Sequence, residues 1–158
     1  MIIVSIDPGL TGAVGFLENG VFLGVEDMPI MQKGNGAVKY EVSPAGLKQL
    51  VLKHTSACDE VVAVLERVNA MSGQGVSSVF SLGDSFGCAR SVLASLGLET
   101  FYVSPVTWKK YYCISSDKEA SRSLAVKMFP KAPLTLKKHV DRAEALLMAR
   151  WLHNTRYA

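Results

Sequence analysis

MIIVSIDPGLTGAVGFLENGVFLGVED, residues 1 to 27, decides the fold. An apolar run ends at Asp7, Pro8-Gly9 turns the chain, and Asn19-Gly20 turns it again. Three strands are therefore expected at roughly 2 to 7, 12 to 18 and 20 to 27. The second turn is the better defined, because Asn-Gly tolerates the positive φ angles of a two-residue type I′ hairpin, so these strands pair antiparallel.

Beyond this meander, residues 29 to 41, with Gly34, Asn35 and Gly36 at the middle, read as a surface loop. Ser43-Pro44 has the form of an N-cap with proline at the first helical position, and it opens a helix to about residue 56. EVVAVLE, residues 60 to 66, is short, β-branched and continuously apolar, as a central strand covered on both faces must be, and it delivers Glu66 to its carboxyl end. A glycine-containing loop at 68 to 75 leads to a long helix from near Ser77, with Gly83 and Gly87 on one face; such glycines suit close approach to a sheet or a partner backbone. TFYVSP, 100 to 105, is another strand, and Ser104-Pro105 caps a short helix through Trp108 and Lys109. Ser116 with Glu119 predicts a capping box for a helix to about Phe129, and a last helix covers roughly 139 to 153, with Val140, Ala143, Leu147 and Trp151 toward the sheet. Antiparallel strands followed by alternating helices and strands make an α/β domain with a mixed sheet.

The chain has 158 residues, 49% of them hydrophobic, which suits one domain spanning 1–158. Its net charge of +3 is only mildly basic, but residues 109 to 138 hold Lys109, Lys110, Lys118, Arg122, Lys127, Lys131, Lys137 and Lys138 against Asp117 and Glu119 alone. Cys58, Cys88 and Cys113 lack metal-ligand spacing and are odd in number, which argues against a disulfide framework or a structural zinc and for a reducing, cytoplasmic setting. Neither a signal peptide nor a membrane span is readable.

Asp7 and Glu66 each end an apolar run, and Asp141 and Glu144 lie three apart on the last helix, on neighbouring turns of one face. Each acid has an ordinary alternative: Asp7 as a turn cap, Glu66 as an exposed strand end, and Asp141 and Glu144 as a solvated face balanced by Arg142 and Arg150. If the segments meet, four carboxylates converge, and such groups raise one another's pKa unless cations lie between them. A divalent-metal site is the economical reading, and the lysines make a nucleic-acid phosphodiester its substrate. Gly9, Thr11 and Gly12 leave the backbone beside Asp7 open to a phosphate. WKKYY, 108 to 112, sets Lys109 and Lys110 among aromatic rings, a mixture suited to gripping a DNA backbone against a stacking surface.

IDPGLTG at 6 to 12, VVAVLERV at 61 to 68, SSVFSLGDSFG at 77 to 87, VSPVTWKKYY at 103 to 112 and HVDRAEALLMARW at 139 to 151, in that order, resemble the RuvC-type Holliday-junction resolvases, in particular the compact form of bacteriophages and prophages. The resemblance covers essentially the whole chain and implies a ribonuclease H-like fold, a mixed five-stranded sheet flanked by helices. It further implies that Asp7, Glu66, Asp141 and Glu144 bind magnesium, or manganese in its place, as two ions, and that they cut DNA to a 5′-phosphate and a 3′-hydroxyl. Glu144 departs from the pattern, since the cellular enzymes resemble Asp-x-x-Asp-Ala where this chain has Asp-Arg-Ala-Glu-Ala. His139 is a candidate for proton transfer or phosphate contact, with Lys118, Arg122 and Lys138 as further DNA contacts. The loop after Glu66 is expected to reach the junction with Asn69, Met71, Gln74 and Ser77, where the cellular enzymes carry an aromatic wedge. A homodimer is implied through the long helix, with Val79, Phe80, Gly83, Phe86 and Gly87 in the interface.

Two other readings use the same acids: a ribonuclease H-like nuclease on RNA–DNA hybrid, and a branched-DNA-binding protein without catalysis. A kinase-like ATPase opening with a similar strand and turn would need a second lobe and a second phosphate loop, neither of which is visible in these 158 residues.

Overall fold

The computed structural model describes residues 1–35, 39–58 and 60–158. Three antiparallel strands open it: β1 (Ile2–Asp7), β2 (Ala13–Glu18) and β3 (Val21–Asp27). Asn19 and Gly20 both have positive φ, 48° and 77°, as the two-residue hairpin between β2 and β3 requires. A small hairpin follows, β4 (Ile30–Gln32) with β5 (Tyr40–Val42), then α1 (Pro44–Thr55), β6 (Val61–Glu66), α2 (Val76–Ser95), β7 (Glu99–Val103), α3 (Pro105–Tyr111), α4 (Lys118–Met128), a 3₁₀ turn at Lys137–His139 and α5 (Val140–Arg156). The main sheet has the order β3-β2-β1-β6-β7, with β6 parallel to both β1 and β7. This mixed five-stranded sheet flanked by helices is the architecture expected from the sequence.

Every residue of β1 is buried, because helices cover both faces of the sheet. Ile3, Val62, Val64 and Val103 pack toward α5 with Leu146, Leu147 and Trp108, while Val4, Ile6, Ala63 and Leu65 pack toward α1 and α2 with Leu47, Val51 and Leu93. Each such aliphatic side chain contributes roughly 1.5–3 kcal/mol when fully buried, so the centre of the sheet is the most firmly held part of the molecule.

A buried polar contact helps to fix how α5 lies on this sheet. Ser5, fully buried in β1, donates its hydroxyl to the carbonyl of Ala145 at 2.6 Å. Opposite it on β2 stands Gly15, where a Cβ would fall 2.8 Å from the Ser5 Oγ and 3.3 Å from the Ala145 carbonyl carbon. A side chain there would push α5 off the sheet and move its acids.

Three expectations need correction. Residues 29 to 41 are not simply a loop: Ile30, Met31 and Gln32 pair with Val42, Glu41 and Tyr40, an edge ribbon too short to read against the glycines between its strands; Gly36 lies outside the described residues. The cap of α4 is Asp117 rather than Ser116, its carboxylate accepting the Glu119 N–H at 3.1 Å, and Glu119 is drawn instead to Arg122. The last helix continues to Arg156.

Candidate active site

β1 and β6 are parallel neighbours, with Ile6 opposite Leu65, so Asp7 and Glu66 leave the sheet side by side at its carboxyl edge. Ligands in open α/β sheets gather at that edge. The turn after Asp7 is closed by Gly12, where a Cβ would lie 2.0 Å from the Asp7 carbonyl oxygen; only glycine lets the chain fold back so tightly. The first two turns of α5 bring in Asp141 and Glu144. One carboxylate oxygen from each of Asp7, Asp141 and Glu144 lies within 4.8 Å of the other two, close enough to hold one cation.

Glu66 stands beside this trio rather than in it. Its Oε1 accepts the indole N–H of Trp108 at 2.8 Å, which leaves Oε2 for other partners. Glu144 is held from the other side: Ser121 donates to its Oε1 at 3.0 Å and the Lys109 ammonium lies 2.8 Å from the same oxygen. The guanidinium of Arg142 clamps Asp27 at the end of β3 with bonds of 2.6 and 2.9 Å, tying the first turn of α5 to the sheet beside Asp141.

The electrostatics are those of a crowded, largely buried acid cluster. Burial raises the Asp7 carboxyl well above its usual range, and Glu66, Asp141 and Glu144 add to the rise while Lys118 opposes it. Burial likewise pushes Glu66 up to about 7; the Trp108 hydrogen bond acts against the rise and the charge of Glu144 with it. Asp141 is raised by burial too, against the pull of Lys118. Hard oxygen donors, buried and short of positive charge, suit magnesium or manganese. A divalent cation would lower the cost of keeping all of them ionised.

The candidate DNA contacts divide. Lys110, Lys118 and Lys138 are exposed, as are Asn69, Met71, Gln74 and Ser77 between β6 and the start of α2. Lys109 points inward to Glu144 rather than outward to solvent. Trp108 is fully buried, so its ring is no stacking surface and its part is the hydrogen bond to Glu66. Arg122 is taken up by Glu119 and by the Leu134 carbonyl at 2.9 Å. His139 is buried, its Nδ1 accepts the Leu136 N–H at 3.3 Å, and burial with Arg142 and Lys138 nearby lowers its pKa; it caps a turn instead of offering itself to phosphate. Of the α2 residues, Phe80 is 69% exposed and Gly83 and Gly87 face open space, whereas Phe86 turns back toward Tyr102 and Val79 is half-buried.

No family model matches the chain, and no curated protein matches it in sequence. Solved structures do. Thermus thermophilus RuvC in complex with a Holliday junction substrate aligns over 99% of this chain and 97% of its own, with a TM-score of 0.62 at 15% identity. A second T. thermophilus RuvC structure aligns over 98% and 97%, with a TM-score of 0.53 at 18% identity. The fold is RuvC-like. At these identities the likeness establishes the ribonuclease H-like architecture, and the chemistry must be argued from the residues themselves. Ser121, Arg142 and the inward turn of Lys109 were not evident in the RuvC-like motifs; a serine on the apolar face of α4 was the one sequence signal available.

Proposed function

We propose that the chain is a divalent-metal-dependent, structure-specific endodeoxyribonuclease that resolves four-way junctions, and related branched DNA, by paired nicks. The observation that carries this reading is the trio Asp7, Asp141 and Glu144, with oxygens within 4.8 Å of one another at the sheet's carboxyl edge. Magnesium or manganese held there would supply an activated water and charge neutralisation at the phosphorus, the two services phosphodiester hydrolysis needs. Asp7, Asp141 and Glu144 would hold the metal, and Glu66 would join them through the oxygen that Trp108 leaves unbonded. Trp108 keeps Glu66 oriented, Ser121 does the same for Glu144, and Lys110, Lys118 and Lys138 hold phosphates at the rim. The product is a 5′-phosphate and a 3′-hydroxyl.

Paired nicks on a nearly two-fold junction call for two copies of the site, so the active form is a homodimer. Val76, Phe80, Gly83 and Gly87 follow one another along the outer face of α2, and a Cβ at either glycine would meet nothing within 4 Å. The fold itself has no need of glycine there; a partner helix packed close would.

The Lys109–Glu144 ion pair favours a second reading, a branched-DNA-binding protein in which lysine permanently holds the place of a metal. One gel separates the two. Labelled four-way junction, three-way junction, fork, linear duplex and RNA–DNA hybrid are incubated with magnesium, manganese or EDTA. Symmetric cuts in the four-way junction that need a divalent ion are expected. Binding without cleavage under every condition would establish the second reading, and a preference for hybrid would reassign the substrate.

A further inference from the structure

The sheet edge carries another cluster on the face away from the acids. In the parallel register Leu65 stands opposite Tyr102 and Glu66 opposite Val103. Successive residues of a strand point to opposite faces, and Leu65 packs with α2 while Val103 packs with α5, so Tyr102 faces α2. Arg67, directly after Glu66, has its guanidinium 5.5 Å from the centre of the Tyr102 ring, and Arg90 of α2 lies 5.9 Å from the centre of the Phe86 ring. The two rings are 6.3 Å apart and tilted by 51°. With Val68 and Asn69 these four residues line a cavity of about 310 Å³.

No carboxylate lines this cavity, and among the described residues neither guanidinium belongs to an ion pair. Exposed cation–π stacks are individually weak, too weak to explain why two unneutralised arginines should converge on one hollow. An anion between them explains it. Guanidinium groups match phosphate geometry, tilted aromatic rings offer a stacking surface, and the Asn69 amide can both donate to and accept from a base edge. The volume is at the lower end of small-molecule sites, the size of one nucleotide rather than of a duplex.

We infer that this cavity is a subsite for a single unpaired nucleotide of the DNA strand that passes over the sheet edge. Its base lies against Phe86 and Tyr102 with Asn69 at its edge, and its phosphate lies between Arg67 and Arg90. The inference rests on the nuclease reading above and adds a source of selectivity to it. A base inside a duplex is already stacked on both faces and cannot enter; one at a branch point, bulge or flap can. Selectivity for branched DNA then needs no aromatic wedge at Asn69.

The test measures binding of the full chain in EDTA to a duplex carrying a one-nucleotide bulge and to the same duplex fully paired. Wild type is expected to prefer the bulge by about tenfold, the low-to-middle range for one base stacked on aromatic rings. Arg90→Gln, an exposed change on α2, should abolish the preference and lower the salt slope on bulged DNA by about one while leaving paired DNA alone. Tyr102→Leu should abolish the preference as well. Manganese affinity, which reports the acid cluster on the other face, should be unchanged in both variants. Equal binding of bulged and paired DNA by wild type, or a preference that survives Arg90→Gln, would overturn the subsite while leaving four-way-junction cleavage standing. Failure of wild type to bind any of these DNAs would remove the nuclease reading itself, and the subsite with it.

Discussion

The two faces of the sheet meet at one edge and present opposite kinds of chemistry. On the α5 face, Asp7, Glu66 and Glu144 are buried, and those with named partners have them at 2.8 to 3.0 Å: Trp108 for Glu66, Ser121 and Lys109 for Glu144. On the α2 face, Val76 is 86% exposed, Phe80 is 69% exposed, and Arg67 and Arg90 lie over aromatic rings at an open cavity. A preorganised charge cluster is what bond breaking requires, because groups already in place cost no reorganisation during the reaction. Exposed apolar and cationic groups are what association requires, because their stabilisation is realised only when a partner arrives. The difference predicts that changes on the α5 face separate cleavage from binding, and that changes on the α2 face alter assembly or substrate choice without touching the chemistry.

The largest effect is expected from Asp7→Asn. It removes one negative charge from the centre of the cluster while keeping the shape, so cleavage should fall by at least about a thousandfold, the scale of losing a principal electrostatic element of a site. Junction affinity in the absence of metal should be equal or higher, since the phosphate meets one acid fewer. Cleavage at the wild-type rate by Asp7→Asn protein would show that the trio is not the catalytic centre.

Next comes assembly. Gly83→Gln places a side chain where a single protomer has open space, and replacing glycine within a helix should stabilise the isolated protomer by about 0.5–1 kcal/mol. The same side chain blocks close approach of a second helix, so sedimentation or light scattering should show monomers, and paired nicks should give way to single ones. A dimer of unchanged stability would move the interface off α2.

Most of this comparison was legible in the sequence, but unevenly. Asp7 and Glu66 could be placed because each ends a short, largely apolar, β-branched run, the form of a strand covered on both sides. Asp141 and Glu144 followed from their spacing on a helix whose buried face was plain. What could not be read was side-chain direction within α3 and α4: the pattern WKKYY is the same whether the tryptophan faces solvent or core, and only the packing of α3 against α5 turns Trp108 inward to Glu66 and brings Lys109 to Glu144. Arg122 and His139 look like free cations in a basic stretch. Their partners, Glu119, Leu134 and Leu136, become neighbours only when α4, the loop after it and the 3₁₀ turn assemble.

A third test concerns that hidden lysine. Lys109→Ala leaves Glu144 without its cation in a largely buried place, so the metal-free protein should lose on the order of 3 kcal/mol, the lower end for breaking a buried pair. Saturating magnesium should recover most of the loss if the ion and the ammonium serve the same carboxylate. Equal destabilisation with and without magnesium would make Lys109 a purely structural residue.

The fourth expectation is a pH dependence of smaller size. Burial holds the folded Glu66 carboxyl at about 7, above its ordinary 4.5, so the native state holds the extra proton between those limits. Stability of the metal-free protein should therefore be higher near pH 4.5 and fall as pH rises toward 7, with no further change from this group above that. Glu66→Gln should flatten this slope and stabilise the metal-free protein at pH 8 but not at pH 4.5, whereas with magnesium bound the advantage should shrink. Denaturant midpoints at the two pH values read it directly.

The smallest effect belongs to the rim, where Lys110 and Lys118 are exposed and free to reach phosphates. Alanine at either should weaken junction binding only a few-fold at moderate salt and reduce the slope of log affinity against log salt by about one unit per true contact. The loss should be the same for every sequence at the junction, because a phosphate contact carries no base information. Lys109→Ala should leave that slope nearly unchanged in the metal-free protein, since its ammonium already faces Glu144. Equal slopes for all three variants would mean that Lys109 swings out when DNA binds, and the α5 face would then share the associative role assigned here to the α2 face and the rim.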